Sequence, residues 1–146
     1  MPAKKLPGFT LIELLLVVAI IGILSGILAM VLKPDYYMAD ARNARRRVDS
    51  HAISLTVSQY YIGTGNPPVT ITDTQTEICK TGAANCIGLI DLSVLTDAQG
   101  YLTTIPNDPK YSTENGTGYS IYRNEFGRFV ITAVHAEKGE TIEVIR

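Results

Sequence analysis

The chain has no tryptophan, and only two cysteines, two histidines and three phenylalanines among its 146 residues. Two cysteines exclude a disulfide-dense scaffold and a four-cysteine zinc centre. His51 and His135 have no cysteine, serine or carboxylate motif that ties them into a catalytic set. No Walker loop, dinucleotide glycine fingerprint or zinc-ligand spacing is present. Charge of one sign is also missing. Charged residues make up 18% and the formal net charge is −1, so nothing global draws nucleic acid or an acidic partner. Apolar residues at 46% rule out a disordered polymer.

What the chain has in excess is one hydrophobic run. From Phe9 to Leu32 the only polar side chains are Thr10, Glu13 and Ser25. A helix of that length spans roughly 36 Å, and the hydrocarbon core of a bilayer needs about 30 Å. A secretory signal would have a shorter apolar stretch with a small-residue cleavage site after it. Here no such site precedes Lys33-Pro34, and the natural cut lies before the run, at Gly8. Glu13 is the anomaly. A carboxylate inside an apolar layer is costly and usually marks function. A bland alternative is that it snorkels to the headgroups.

Gly8-Phe9-Thr10-Leu11-Ile12-Glu13, followed by LLLVVAIIGIL, resembles the processing motif of type IV prepilins and of type II secretion pseudopilins. That family has a short basic leader ending in glycine, then phenylalanine, then a glutamate at the fifth mature position. Lys4 and Lys5 supply the basic leader. The resemblance implies that a prepilin peptidase cuts between Gly8 and Phe9 and that the new Phe9 amine is methylated. It also implies that Glu13 meets the N-terminal amine of a neighbouring subunit, acting as a register device. A positive-inside count conflicts with it. Lys33 and Arg42 to Arg47 outnumber Lys4 and Lys5 and would put the C-terminal side in the cytoplasm, whereas the resemblance requires the head outside.

Beyond the run, Ala41, Ala44, Val48, Ala52 and Leu55 recur at helical spacing. This predicts an amphipathic helix packing that face on a domain, with Pro34 interrupting the long rod and Gly63 and Gly65 stopping it. Unbroken from about Phe9 to Ile62, such a helix would be roughly 80 Å long. Gly22 and Gly26 form a small-x-x-x-small pair. Arg42 to Arg47 (RNARRR) are expected in helix-face pairing, Arg45 with Asp49, or in subunit contact, rather than on DNA.

The expected division is a leader at 1–8, a transmembrane assembly helix at 9–32, its amphipathic continuation at 33–62, and a head at 63–146. Residues 63–88 read as a turn-rich loop with one strand. Cys79 and Cys86 lie in it, six residues between them. They suit one short disulfide in an oxidising compartment, with two free thiols as the alternative. A short helix is expected from Leu89, ended by Gly100. Tyr119–Arg123, Phe129–Val134 and Thr141–Ile145 are rich in strand formers and are joined by turns at 124–127 and 137–140. They predict a three-stranded antiparallel meander against the helix, a pilin-like α+β fold.

On this reading the protein is no enzyme and needs no cofactor. Some pseudopilins of this layout hold calcium, and Asn107, Asp108, Glu114 and Asn115 would be the candidates, but their spacing matches no known loop. The resemblance implies a structural subunit of a type IV pilus-like filament, lodged in the cytoplasmic membrane and carried to the surface on assembly. Its partners would be like subunits, the peptidase–methyltransferase, an assembly ATPase with its membrane platform, and lipid. The alternative is a pseudopilin of a secretion or DNA-uptake machine. A membrane-tethered binding domain or enzyme would need a pocket and polar constellation that the sequence does not offer.

Overall fold

The computed structural model describes residues 8–97 and 100–146. Lys4 and Lys5 of the expected leader lie outside them. Two helices are followed by a small sheet: α1 (Leu11–Val31), α2 (Pro34–Thr64), β1 (Thr76–Cys79), β2 (Gly116–Arg123), β3 (Phe129–Ala133) and β4 (Glu143–Ile145). Two compact units result, one ending at Met38 and the other running from Ala39 to Arg146.

The first unit is α1 and the start of α2. No residue of α1 is buried within the chain, and it is long and apolar enough to cross a membrane. The helix ends where the sequence predicts an interruption. Leu32 caps α1, Lys33 takes a left-handed φ of 37°, and Pro34 opens α2. Proline suits a first helical position because it has no N–H there to satisfy, and it pushes the preceding residue out of helical geometry. The far end of α2 stops at Thr64. Gly65, at φ 74°, donates its N–H to the Tyr61 carbonyl at 2.8 Å, a left-handed cap that glycine adopts without Cβ strain.

The second unit is an α+β arrangement with an antiparallel sheet of order β1-β2-β3-β4. The expected meander is its last three strands, in register Ile121↔Ile131 and Ile131↔Val144. The single strand expected in the loop becomes β1, so the sheet has four strands rather than three. Ile53 and Val57 of α2 join Ile78, Leu92, Leu95, Tyr119, Ile121 and Ile131 in the hydrophobic core.

Two expectations are corrected. Among the described residues the helix expected from Leu89 is only a 3-10 turn, Ser93–Leu95; Ala98 and Gln99 of that stretch lie outside them. Ile90 is bridged to Ile78, and the Asp91 carboxylate accepts the Ser93 N–H at 2.9 Å. These local bonds compete with a helix and leave too few residues to form one. The second correction concerns which face of α2 packs. Ala41, Ala44, Val48 and Leu55 are exposed and Ala52 is half-buried. Buried instead are Ala39, Asn43, Arg46, Asp49, Ser50, Ile53, Ser54, Thr56 and Val57. Opposing residues supply partners for Asn43, Arg46 and Asp49 of this largely polar face and Thr56 bonds its own helix backbone, while the buried Ser50 and Ser54 hydroxyls find none among the described residues.

Candidate processing and assembly site

Thr10 caps α1 in extended geometry and its hydroxyl accepts the Glu13 N–H at 3.3 Å. The same hydroxyl lies 3.5 Å from a Glu13 carboxylate oxygen, to which it donates. Thr-x-x-Glu is the capping-box pattern, with glutamate at the third helical position. A carboxylate there also faces the positive end of the helix dipole. Glu13 is therefore partly compensated within its own chain, a local role that the Thr10-x-x-Glu13 pattern itself offers.

Phe9, 83% exposed, precedes the cap. A Cβ built on Gly8 would meet nothing within 4 Å, and the same holds for Gly22 and Gly26. The chain's own packing does not demand glycine at these positions. Any steric demand comes from what approaches them.

The arginines of α2 form a second constellation. Arg46 has no exposed side-chain surface and holds Asp108 through two hydrogen bonds, Nε to Oδ2 at 2.6 Å and Nη2 to Oδ1 at 3.0 Å. Its Nη1 donates to Glu137 at 3.0 Å and to Asn43 Oδ1 at 2.9 Å. Arg42 grips Glu137 at 2.6 and 2.8 Å, and Lys110 reaches the same carboxylate at 3.2 Å. Asn43 ties the turn between β3 and β4 twice, donating to the Glu137 carbonyl and accepting its N–H. One turn on, Tyr119 donates its hydroxyl to Asp49 at 2.9 Å. Arg47 pairs with Glu140, and Arg45 with Asp49 at 3.5 Å. The i,i+4 pairing expected for Arg45 is present. The other arginines of the cluster bind carboxylates of the head, far away in sequence.

Charge follows this geometry. The Arg42 hydrogen bonds hold the Glu137 carboxyl far below its ordinary range, against a desolvation cost, with Arg46 and Lys110 adding to the effect. Burial works against the Asp108 charge, but Arg46 and the backbone N–H groups of Lys110 and Tyr111 overcome it, and its pKa is lowered. Burial, then the Asp49 charge, pushes the Tyr119 phenol well up.

Of the calcium candidates, Asp108 already gives its oxygens to Arg46 and to two backbone donors. Cys79 and Cys86 are joined in a disulfide. His135 stacks on Tyr111 with ring centres 4.6 Å apart, and His51 is exposed on α2. A surface cleft of about 640 Å³ lies beside Asp73, Tyr122, Arg123 and Asn124. Three of these side chains are spent locally: Arg123 pairs with Asp73 at 3.1 Å, and Asn124 accepts the N–H groups of Phe126 and Arg128.

Comparison with known families gives one match. Residues 7–29 match the prokaryotic N-terminal methylation motif. The match contains Gly8, Phe9 and Glu13, supports the resemblance to type IV pilins and pseudopilins, and points to a structural protein. Neither the curated proteins nor the solved structures yield a match to the chain.

Proposed function

We propose, on the premise that this is a pilin-like or pseudopilin-like protein with an N-terminal methylation motif, that it is a structural subunit of a type IV pilus-like filament. The motif at residues 7–29 carries the reading. The subunit is stored in the cytoplasmic membrane through α1, with the head outside the cytoplasm. A prepilin peptidase cuts after Gly8 and methylates Phe9. An assembly ATPase with its membrane platform then moves α1 from lipid into a bundle of like helices. The wholly exposed apolar surface of α1 supplies the burial that holds such a bundle together. Glu13, capped by Thr10 in the lone chain, takes the methylated amine of a neighbour as its charged partner and sets the register. The contacts are heterologous and propagate as an open helix.

A second reading keeps the fold and makes the filament a short pseudopilus of a secretion or DNA-uptake machine. The Tyr101–Pro109 stretch before the meander is similar to major pseudopilins and to simple pilins alike, so fibre length and abundance separate the two readings.

The experiment is mass spectrometry of N-terminal peptides from sheared surface material and from membranes of the native host. An abundant surface peptide beginning at methylated Phe9 supports the pilus. The same peptide confined to membranes supports the short pseudopilus. A chain that still begins at Met1 everywhere overturns both. Gly8→Ala is expected to leave the leader attached, and Glu13→Ala to permit cleavage while abolishing assembly.

A further inference from the structure

The apolar stripe that the sequence assigns to the head interface lies on the outer side of α2. Val48 is 68% exposed, Leu55 45% and Ile62 81%, and Ala41 and Ala44 are open as well. Ala41, Val48, Leu55 and Ile62 recur every seven residues, with Ala44, His51 and Ser58 at the intermediate positions. That is the spacing of a coiled-coil seam. Half a turn away from it, Arg46 and Ile53 are buried and Tyr60 packs against the core. One side of α2 is fastened to its own head while the other presents a seam that this head does not use.

We propose that this seam pairs two copies of the chain, α2 against α2, parallel and in register. Charge complementarity selects that partner. Asp40 precedes Ala41 and Arg45 follows Ala44, so they flank the seam on opposite sides, five residues apart. In a parallel, in-register pair this is the spacing at which a flanking residue of one helix meets the opposite flank of the other. Their side chains are 45% and 69% exposed. Each also has an intrachain partner, Lys138 for Asp40 and Asp49 for Arg45, so the interchain pair extends an existing charge chain. The parallel direction rests on the membrane-anchored reading, because both chains then enter α2 from the same membrane face. The small Ala41 and Ala44 allow close approach at the N-terminal end. His51 and Ser58 dilute the seam, so the pair is weak enough to separate when subunits enter a staggered filament.

Both native cysteines are spent in the disulfide, so a single added thiol is a clean reporter. Full-length Val48→Cys and Ile62→Cys chains are placed in membranes of a host without assembly machinery and oxidised, with Val69→Cys as an exposed loop control. The expected result is a disulfide-linked dimer from both seam variants and little from the control. Only a parallel, in-register pair brings both residues against their own copies. Dimer from Val48→Cys alone, or no more dimer than the control, overturns the proposal. Alkaline extraction of the same membranes separates the two ways of failing. Retention without cross-linking refutes the pairing alone, while release of the chain refutes the anchor and the direction that depends on it. Asp40→Arg or Arg45→Asp, each combined with Val48→Cys, is expected to lose most of the dimer, and the two exchanges together to restore it. Without restoration the register is wrong.

Discussion

Arg46 sits mid-helix in a sequence that reads as a basic cluster, yet its side chain is entirely enclosed and both edges of its guanidinium meet acceptors. Enclosing an ion pair is not in itself strongly stabilising, since desolvation offsets much of the attraction. Removing one member is another matter, because the remaining charge stays buried without compensation. Asp108→Ala is therefore expected to destabilise the head by about 3–5 kcal/mol. Tyr119→Phe removes only the hydroxyl donated to Asp49 and is expected to cost about 1.5–3 kcal/mol. Arg45→Ala, which breaks the largely exposed pair with Asp49, should cost under about 1 kcal/mol. Urea midpoints of the detergent-solubilised chain would check this order. An Arg45→Ala loss as large as that of Asp108→Ala would contradict it.

At the scale of elements, β1 depends on a staple. Cys79 ends the strand, its N–H bonds to the Ile90 carbonyl at 2.8 Å, and Ile90 donates in turn to the Glu77 carbonyl at 2.8 Å. The disulfide to Cys86 closes a short loop between those two chain segments, which restricts the unfolded chain. Opening it by a Cys79→Ser, Cys86→Ser double variant is expected to cost about 2–3 kcal/mol. Amide hydrogen exchange should then rise first at β1 and at Ile90, with the β2–β3 pairing still protected. Uniform loss of protection across the sheet would show that β1 is not a separable element. The late start of the helix expected from Leu89 has the same origin, because Ile90 is claimed by this pairing before a helix can form.

For the molecule as a whole, the same ion pairs set its pH range. Asp108 and Glu137 have pKa values lowered in the folded state from ordinary values of 3.8 and 4.5. Their contribution is fully present above that range and is lost as pH falls through it, because the unfolded chain takes up protons first. Tyr119 shifts the other way, up from 10.0. Its contribution holds below that value and falls as pH rises past it, because the unfolded phenol ionises first. A plot of melting temperature against pH is expected to be flat through neutrality and to drop below about pH 4 and above about pH 10. An Asp108→Asn, Glu137→Gln double variant, less stable at neutral pH, should lose most of the acid limb and keep the alkaline one.

Several features were legible without coordinates because they are local or compositional. The span of α1, the break at Lys33-Pro34, the cap at Gly65, the three β-rich runs of the meander and the short cysteine loop each follow from the few residues that form them. Gly8, Phe9 and Glu13 are likewise a pattern of fixed spacing. What periodicity misjudged was the packed face of α2. An apolar stripe is a sound guide to burial only when the opposing surface is apolar. Here Asp108, Glu137 and the Tyr119 hydroxyl arrive from positions 62 to 95 residues further along the chain to meet Arg46, Arg42 and Asp49. Paired with these, the polar face can be buried, and the apolar stripe turns outward. Sequence alone determined where α1 gives way to α2 and which three runs form the meander. Which side of α2 belongs to the head was decided by tertiary structure, because only folding brings those distant charges together.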